Sequence, residues 1–140
     1  MKETAAAPRA RSTQRKEALL AAVYGFVGWA LCAAAMGLGL HLTTLHRALI
    51  LHAIAAPLIF PAISSLYFRR RSSLSPLHAA TVFLGTVTAL DFFIVALLIE
   101  HSFAMFASIL GVWLPFLLIF LTSWMTGLIL RRTALQSEKS

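Results

Sequence analysis

Charged residues are scarce in this chain of 140 residues. Asp, Glu, Lys and Arg together make up 12% of the sequence, whereas hydrophobic residues make up 59%. A soluble domain of this length cannot bury so much apolar surface within itself. The composition therefore excludes a soluble catalytic domain and indicates helices that are surrounded by lipid.

Cysteine is nearly absent, and so are the sequence patterns of common enzymes. The single cysteine, Cys32, lies within an apolar stretch, which excludes an internal disulfide and a CxxC redox pair. The chain has none of the GxSxG, Walker or HExxH motifs of hydrolases, nucleotide-binding proteins and zinc proteases. We therefore expect neither an enzyme nor a required cofactor.

Four long apolar stretches dominate what is present, at about 18–40, 48–68, 77–99 and 103–130. About 20 apolar residues are enough for a helix to cross roughly 30 Å of hydrocarbon. The connections are short, so consecutive helices should run antiparallel. The sequence predicts an all-α, up-down bundle of four transmembrane helices, with a disordered basic tail over 1–17 and a second tail over 131–140.

Lysine and arginine are distributed unevenly between the two ends of these helices. The N-terminal tail carries five, the connection at 69–71 three and the C-terminal tail three, whereas Arg47 stands alone on the other side. Cytoplasmic segments of membrane proteins carry such an excess. We expect both termini in the cytoplasm and the chain in a bacterial inner membrane. The net charge of +7 reflects these clusters and predicts no nucleic-acid partner.

Small residues form a stripe along the first predicted helix, spaced alternately four and three apart: Ala21, Gly25, Gly28, Cys32, Ala35 and Gly39. Small residues let membrane helices approach closely, so the stripe predicts a helix-packing face. It is either the internal seam of the bundle or the contact of a homodimer. We also expect the chain to self-associate or to join a larger membrane complex.

Asp91 is the charged residue that the sequence places deepest in the bilayer. It lies about nine residues, or roughly 13 Å, from the outer end of the third helix, near the midplane. An ionised carboxylate there costs about 2.5 kcal/mol or more, so it should face the interior, be paired or be protonated. Thr81 and Thr88 fall on the same side of the helix. Pro57 and Pro61 of the second helix should release backbone carbonyls at a similar depth.

Two interpretations of this group of residues stay open. In the first, the carboxylate and the released carbonyls form a midplane site for a proton, an ion or a small solute, which predicts transport. In the second, protonated Asp91 donates a hydrogen bond to such a carbonyl and locks helices two and three together. The second interpretation predicts a structural or accessory subunit without chemistry of its own.

Histidine supplies a third hypothesis, because four of the five histidines lie toward the predicted outer face. With a neighbouring carboxylate they form a candidate ligand set: His41, His46, His52, Glu100 and His101. Imidazole and carboxylate groups bind zinc, copper and nickel. His52 and His101 lie at depths compatible with haem. The set predicts an outer-face metal or haem protein, although its spacing matches no metal-binding motif.

The second half of the chain resembles a family of small bacterial four-helix inner-membrane proteins. The resemblance is carried by Leu90-Asp91-Phe92-Phe93, by SFAMFAS at 102–108, by Gly111 and by WLPF at 113–116. It implies a four-helix membrane fold and a bacterial inner-membrane location. It implies no activity and no mechanism.

Overall fold

Four long helices make up most of the protein, in a computed structural model that describes residues 6–70 and 72–139. They are α1 (Ala6–Leu42), α2 (Leu45–Phe68), α3 (Pro76–Leu90) and α4 (Leu114–Ser137). A π-helical segment, Asp91–Ile99, continues α3, and a 3-10 turn, Ala104–Ala107, and a π-helical turn, Ile109–Trp113, precede α4. The described residues contain no strand, so the all-α prediction is confirmed.

The helices are long and apolar enough to cross a membrane, over Ala10–Leu42, Leu45–Phe68, Pro76–Ile99 and Ile109–Ser137. Large apolar side chains cover their outer faces, and Leu58 and Ile109 are 69% and 75% exposed. Soluble monomers rarely expose apolar surface on this scale. The prediction of a four-helix transmembrane bundle is confirmed at this level, with the fourth span beginning at Ile109 instead of 103.

The N-terminal segment differs from the prediction. We predicted a disordered tail over 1–17, but α1 is helical from Ala6, and residues 1–5 lie outside the described part of the chain. Alanine, arginine, lysine, glutamate and glutamine dominate this stretch and have high helix propensity, and the apolar helix that follows supplies a nucleus to extend. For the same reason α4 continues to Ser137 through most of the predicted C-terminal tail.

The helices occupy the corners of a square. α1 and α4 each pack against both α2 and α3, so α2 and α3 lie across a diagonal. Tyr67 near the end of α2 bonds to Glu17 of α1, whereas Gly39 of α1 contacts Ala48 at the start of α2. α1 and α2 therefore run antiparallel. We call the end of the bundle at Glu17 and Tyr67 the basic end, and the end at Thr43–Thr44 and 100–108 the turn end.

The small-residue stripe of α1 packs inside the chain. Five of its six residues are buried, and Ala35 is half-buried. A Cβ atom added at Gly28 would lie 2.8 Å from the Phe60 ring of α2, and one at Gly25 would lie 3.3 Å from Thr86 of α3. The stripe is therefore the seam that brings α1 against both neighbouring helices, as the internal-seam interpretation expects.

An aromatic cluster fills the diagonal between α2 and α3. The Phe83 ring lies 6.4 Å from Phe60 and 5.7 Å from Tyr67 between centroids, and all three side chains are fully buried. The Tyr67 hydroxyl donates to the backbone carbonyl of Glu17 at 3.3 Å and accepts a hydrogen bond from Ser72 at 2.8 Å. The cluster closes the interior of the bundle at the basic end.

Gly127 of α4 provides a test of packing at the basic end. A Cβ atom there would lie 2.7 Å from the Phe68 ring and 2.8 Å from the Pro76 side chain. Because overpacking a close contact costs about 1–3 kcal/mol, we expect Gly127→Ala to lower the thermal unfolding midpoint, measured by circular dichroism in detergent. Gly85→Ala is the matched control, since a Cβ atom there meets nothing within 4 Å. Equal midpoints for the two variants would contradict this packing.

Candidate functional site

A cavity of about 610 Å³ lies between the helices, in the half of the bundle toward the turn end. All four helical spans and the 100–108 connection contribute to its wall. Its lining residues at the turn end include the exposed Leu40, Leu45 and Glu100, so we take this end as the mouth of the cavity. Most of the wall is apolar. The polar or ionisable side chains that line it are Trp29, Cys32, His52, Asp91, Glu100 and Ser108. This size and this mixture are typical of small-molecule sites.

Asp91 lies deep in this cavity and is paired with a residue of α1. The indole Nε1–H of Trp29 donates to Asp91 Oδ1 at 2.7 Å. A carboxylate in a low-dielectric interior needs such a donor, and a buried indole N–H needs an acceptor. The sequence analysis did not include Trp29 in the site. The available signal was the indole N–H itself, but the chain has three tryptophans and local pattern does not select one of them.

The prolines of α2 do not supply the partner of Asp91. Pro57 and Pro61 lie inside α2, which stays helical through both, and neither lines the cavity. The physical reason is the order of the helices, because α2 is diagonal to α3 whereas α1 is its neighbour. The predicted pairing of Asp91 with carbonyls released by Pro57 and Pro61 is replaced by the hydrogen bond from Trp29.

The two threonines predicted on the Asp91 side of the helix also lie elsewhere. Thr81 is exposed, and its hydroxyl donates to the backbone carbonyl of Leu77 at 2.8 Å. Thr88 lines a separate apolar groove beside Trp113 and Phe120. A separation of three residues turns Thr88 about 60° from Asp91 around the helix, which is enough to direct it toward α4. The structure brings neither threonine into the cavity.

The backbone widens at the point where Asp91 enters the site. The helix is π-helical from Asp91 to Ile99, and the Glu100 amide donates to the Val95 carbonyl at 2.8 Å. The span ends at Ile99, and two residues later His101 has a φ of 50°, in the left-handed region. π-helical turns occur frequently at functional sites. One side of this segment, at Asp91, Val95 and Ile99, lines the cavity, whereas Phe93 and Leu98 on other sides are exposed.

The predicted metal ligands are only partly brought together. His52 and Glu100 line the cavity, whereas His41, His46 and His101 are exposed on the surface. The Nδ1 atom of His52 is buried without a hydrogen-bond partner. Among the residues that the structure describes, no three His, Cys, Asp or Glu side chains form a group that could hold a metal ion. The five predicted ligands therefore do not form one assembled metal site in the described residues.

Among the described residues that line the cavity, two carry carboxyl groups and one, His52, is basic. Asp91 lies deep inside and Glu100 lies at the mouth, and no lysine or arginine of the described chain lines the wall. Arg47, the basic residue predicted on this side, is exposed and lies outside the lining. Low-dielectric walls focus the field of such groups. The arrangement can therefore attract a cation or accept a proton.

Comparison of the chain with protein-family models, curated proteins and solved structures finds no match. The functional proposal below therefore rests on the cavity and its side chains.

The Trp29–Asp91 hydrogen bond can be measured by a double-mutant cycle. We expect Trp29→Phe to destabilise the protein by about 1.5–3 kcal/mol, because the substitution removes a donor to an acidic group inside the bundle. In an Asp91→Ala background the same substitution should cost much less. Chemical unfolding in mixed micelles gives the four free energies, and Trp124→Phe serves as the control for loss of an indole. A coupling energy near zero would show that the bond does not contribute to stability.

Proposed function

We propose that this chain is a multi-pass carrier of a bacterial inner membrane that moves a small solute or ion, with Asp91 as the binding group. The supporting observation is that Asp91 lines a cavity of about 610 Å³ in the half of the bundle toward the turn end. A carboxyl group that only locked two helices together would be surrounded by packed side chains. This carboxyl group instead borders a space large enough for a ligand.

Both termini lie on the cytoplasmic side in this proposal. Basic side chains gather near the basic end, and those that the structure describes are exposed: Arg11, Arg15, Lys16, Arg69, Arg70, Arg131, Arg132 and Lys139. Arg71 of the same predicted cluster lies outside the described residues, and Arg47 belongs to the turn end. The excess of basic residues on the cytoplasmic side supports this orientation. The cavity then opens toward the outer surface.

The closed side of the carrier is the aromatic cluster at the basic end. Phe60, Tyr67 and Phe83 are fully buried, and the Tyr67 hydroxyl is tied to both Glu17 and Ser72. Alternating access requires one route to the central site to be closed while the other is open. The described arrangement corresponds to an outward-open form, and release to the cytoplasm requires these rings to separate.

Orientation can be tested with single cysteines in a Cys32→Ala background. Thr44, between α1 and α2, and Ser73, between α2 and α3, are both exposed residues of short connections. We expect a membrane-impermeant maleimide to label Thr44→Cys in intact cells, because this residue faces outward. Ser73→Cys should be labelled only after permeabilisation. The reversed pattern would overturn the proposed orientation.

Access to the site is the test of the carrier itself. In the same background, we expect Asp91→Cys to react with a small positively charged methanethiosulfonate from the outer side, because the cavity opens there. A carrier also exposes the position from the cytoplasmic side, so inverted vesicles should show a slower reaction. Ser123→Cys is the buried control, since Ser123 is 0% exposed and does not line the cavity.

Three outcomes of the labelling experiment are informative. Reaction of Asp91→Cys from both sides supports the carrier. Reaction from the outer side alone leaves a binding protein without transport. No reaction, while Ser108→Cys in the cavity wall is labelled, would show that the open space stops short of Asp91. That result would leave the accessory-subunit interpretation.

A further inference from the structure

We propose that the solute bound in this cavity is an organic cation, with one positively charged nitrogen on an apolar body. The inference rests on the proposed function, because it names the class of solute for the same site. It follows from three properties of the wall: its charge, its scarcity of oxygen ligands and the position of Trp29 beside Asp91.

The charge of the wall selects a cation. Asp91 lies deep and Glu100 lies at the mouth. The described lining contains no lysine or arginine, and His52 is its one basic side chain. An anionic solute would meet two like charges, and a neutral one would leave the buried carboxylate without a counter-charge. A cation instead passes Glu100 at the entrance and forms an ion pair with Asp91. Two carboxylates at different depths thus serve entry and binding.

The remaining wall disfavours a metal ion and favours an organic one. Calcium takes six to eight oxygen ligands and magnesium six, and transition metals need several clustered His, Cys or carboxylate groups. The described residues contain no such cluster. Around Asp91 the wall is formed largely by apolar side chains, including Met36, Leu49, Val95 and Phe116. Burial of apolar surface is the favourable contribution that these side chains offer a ligand.

Trp29 adds a second group that attracts a positive charge. Its side chain lines the cavity, and the hydrogen bond of 2.7 Å to Asp91 holds the indole beside the carboxylate. The Phe26 ring packs near Trp29 at 5.9 Å between centroids. Indole is the aromatic group with the strongest cation–π attraction, and this attraction is larger where water is excluded. The N–H edge of the indole meets Oδ1 of Asp91, so a cationic nitrogen would pair with the carboxylate from another side and contact the face of the indole.

The test compares two probes of the same shape in the wild-type cavity. Phenyltrimethylammonium is a cation, and tert-butylbenzene is its uncharged carbon analogue. Substituting Trp113→Phe and Trp124→Phe leaves Trp29 as the single tryptophan, so its fluorescence reports binding beside Asp91. In mixed micelles we expect saturable changes in emission, with a Kd for the cation at least tenfold below that for the carbon analogue. Equal affinities, or no binding of the cation, would overturn the proposal.

Variants separate the roles of the two carboxylates. Asp91→Asn should bring the affinity for the cation to that of the carbon analogue, while the affinity for the analogue changes little. Glu100→Gln should slow association of the cation in low salt and have little effect in high salt, because its contribution is long-range attraction at the mouth. Thr88→Ala is the control outside the cavity and should bind both probes as the parent does.

The probe-binding experiment and the labelling of Asp91→Cys test different claims, so their failures can be told apart. If Asp91→Cys reacts from both sides but the two probes bind equally, the organic-cation assignment is wrong and the carrier proposal stands. If Asp91→Cys is unreactive, both proposals fall. Because the two probes are compared on the same folded protein, the result does not depend on whether Asp91→Asn folds.

Discussion

A carboxyl group inside a bundle of apolar helices requires a hydrogen-bond donor, and in this bundle the donor comes from the neighbouring helix. Trp29 meets Asp91 at 2.7 Å, and this is possible because α1 and α3 approach closely one turn earlier. At Gly25 the helices are in close contact, since a Cβ atom would lie 3.3 Å from Thr86 and would require a small shift. The small residues of α1 thus determine the pairing of the one deeply placed acid.

The same bundle is packed at one end and open at the other. At the basic end, aromatic side chains reach across the diagonal between α2 and α3 and fill it. At the turn end, the facing positions include small residues such as Ala33, Gly37 and Gly111, and the backbone after Asp91 is π-helical. Small side chains and wider helical turns leave unfilled space, and the cavity lies there. A site that opens at one end therefore follows from where the large and small residues lie.

Much of the fold follows from patterns that are local in sequence. Apolar length gives the four spans, and the spacing of small residues along α1 identifies a face that the structure buries. The depth of Asp91 indicates that it cannot face lipid. Which helix supplies its partner is not a local property, because short connections are compatible with more than one order of helices around a square. The sequence places Pro57 and Pro61 at the same depth as Asp91, but α2 lies diagonally opposite α3 and does not pack beside it.

Two further features had no recognisable pattern. Nothing in the composition of Asp91–Ile99 indicates a π-helix, since the same apolar residues occur throughout the other spans. The absence of an apolar face before residue 18 predicts a disordered segment. A helix continued from a membrane span needs no such face, since it does not have to pack against anything.

The length of α1 has a mechanical consequence. Its 37 residues form a rod of about 55 Å, whereas the hydrocarbon layer is about 30 Å thick. In a bilayer, the N-terminal part of α1 would therefore extend beyond the lipid, with the exposed side chains of Arg11, Arg15 and Lys16. Trp29 belongs to the same unbroken helix. A tilt or rotation of the N-terminal part of α1 therefore also moves the indole that donates to Asp91.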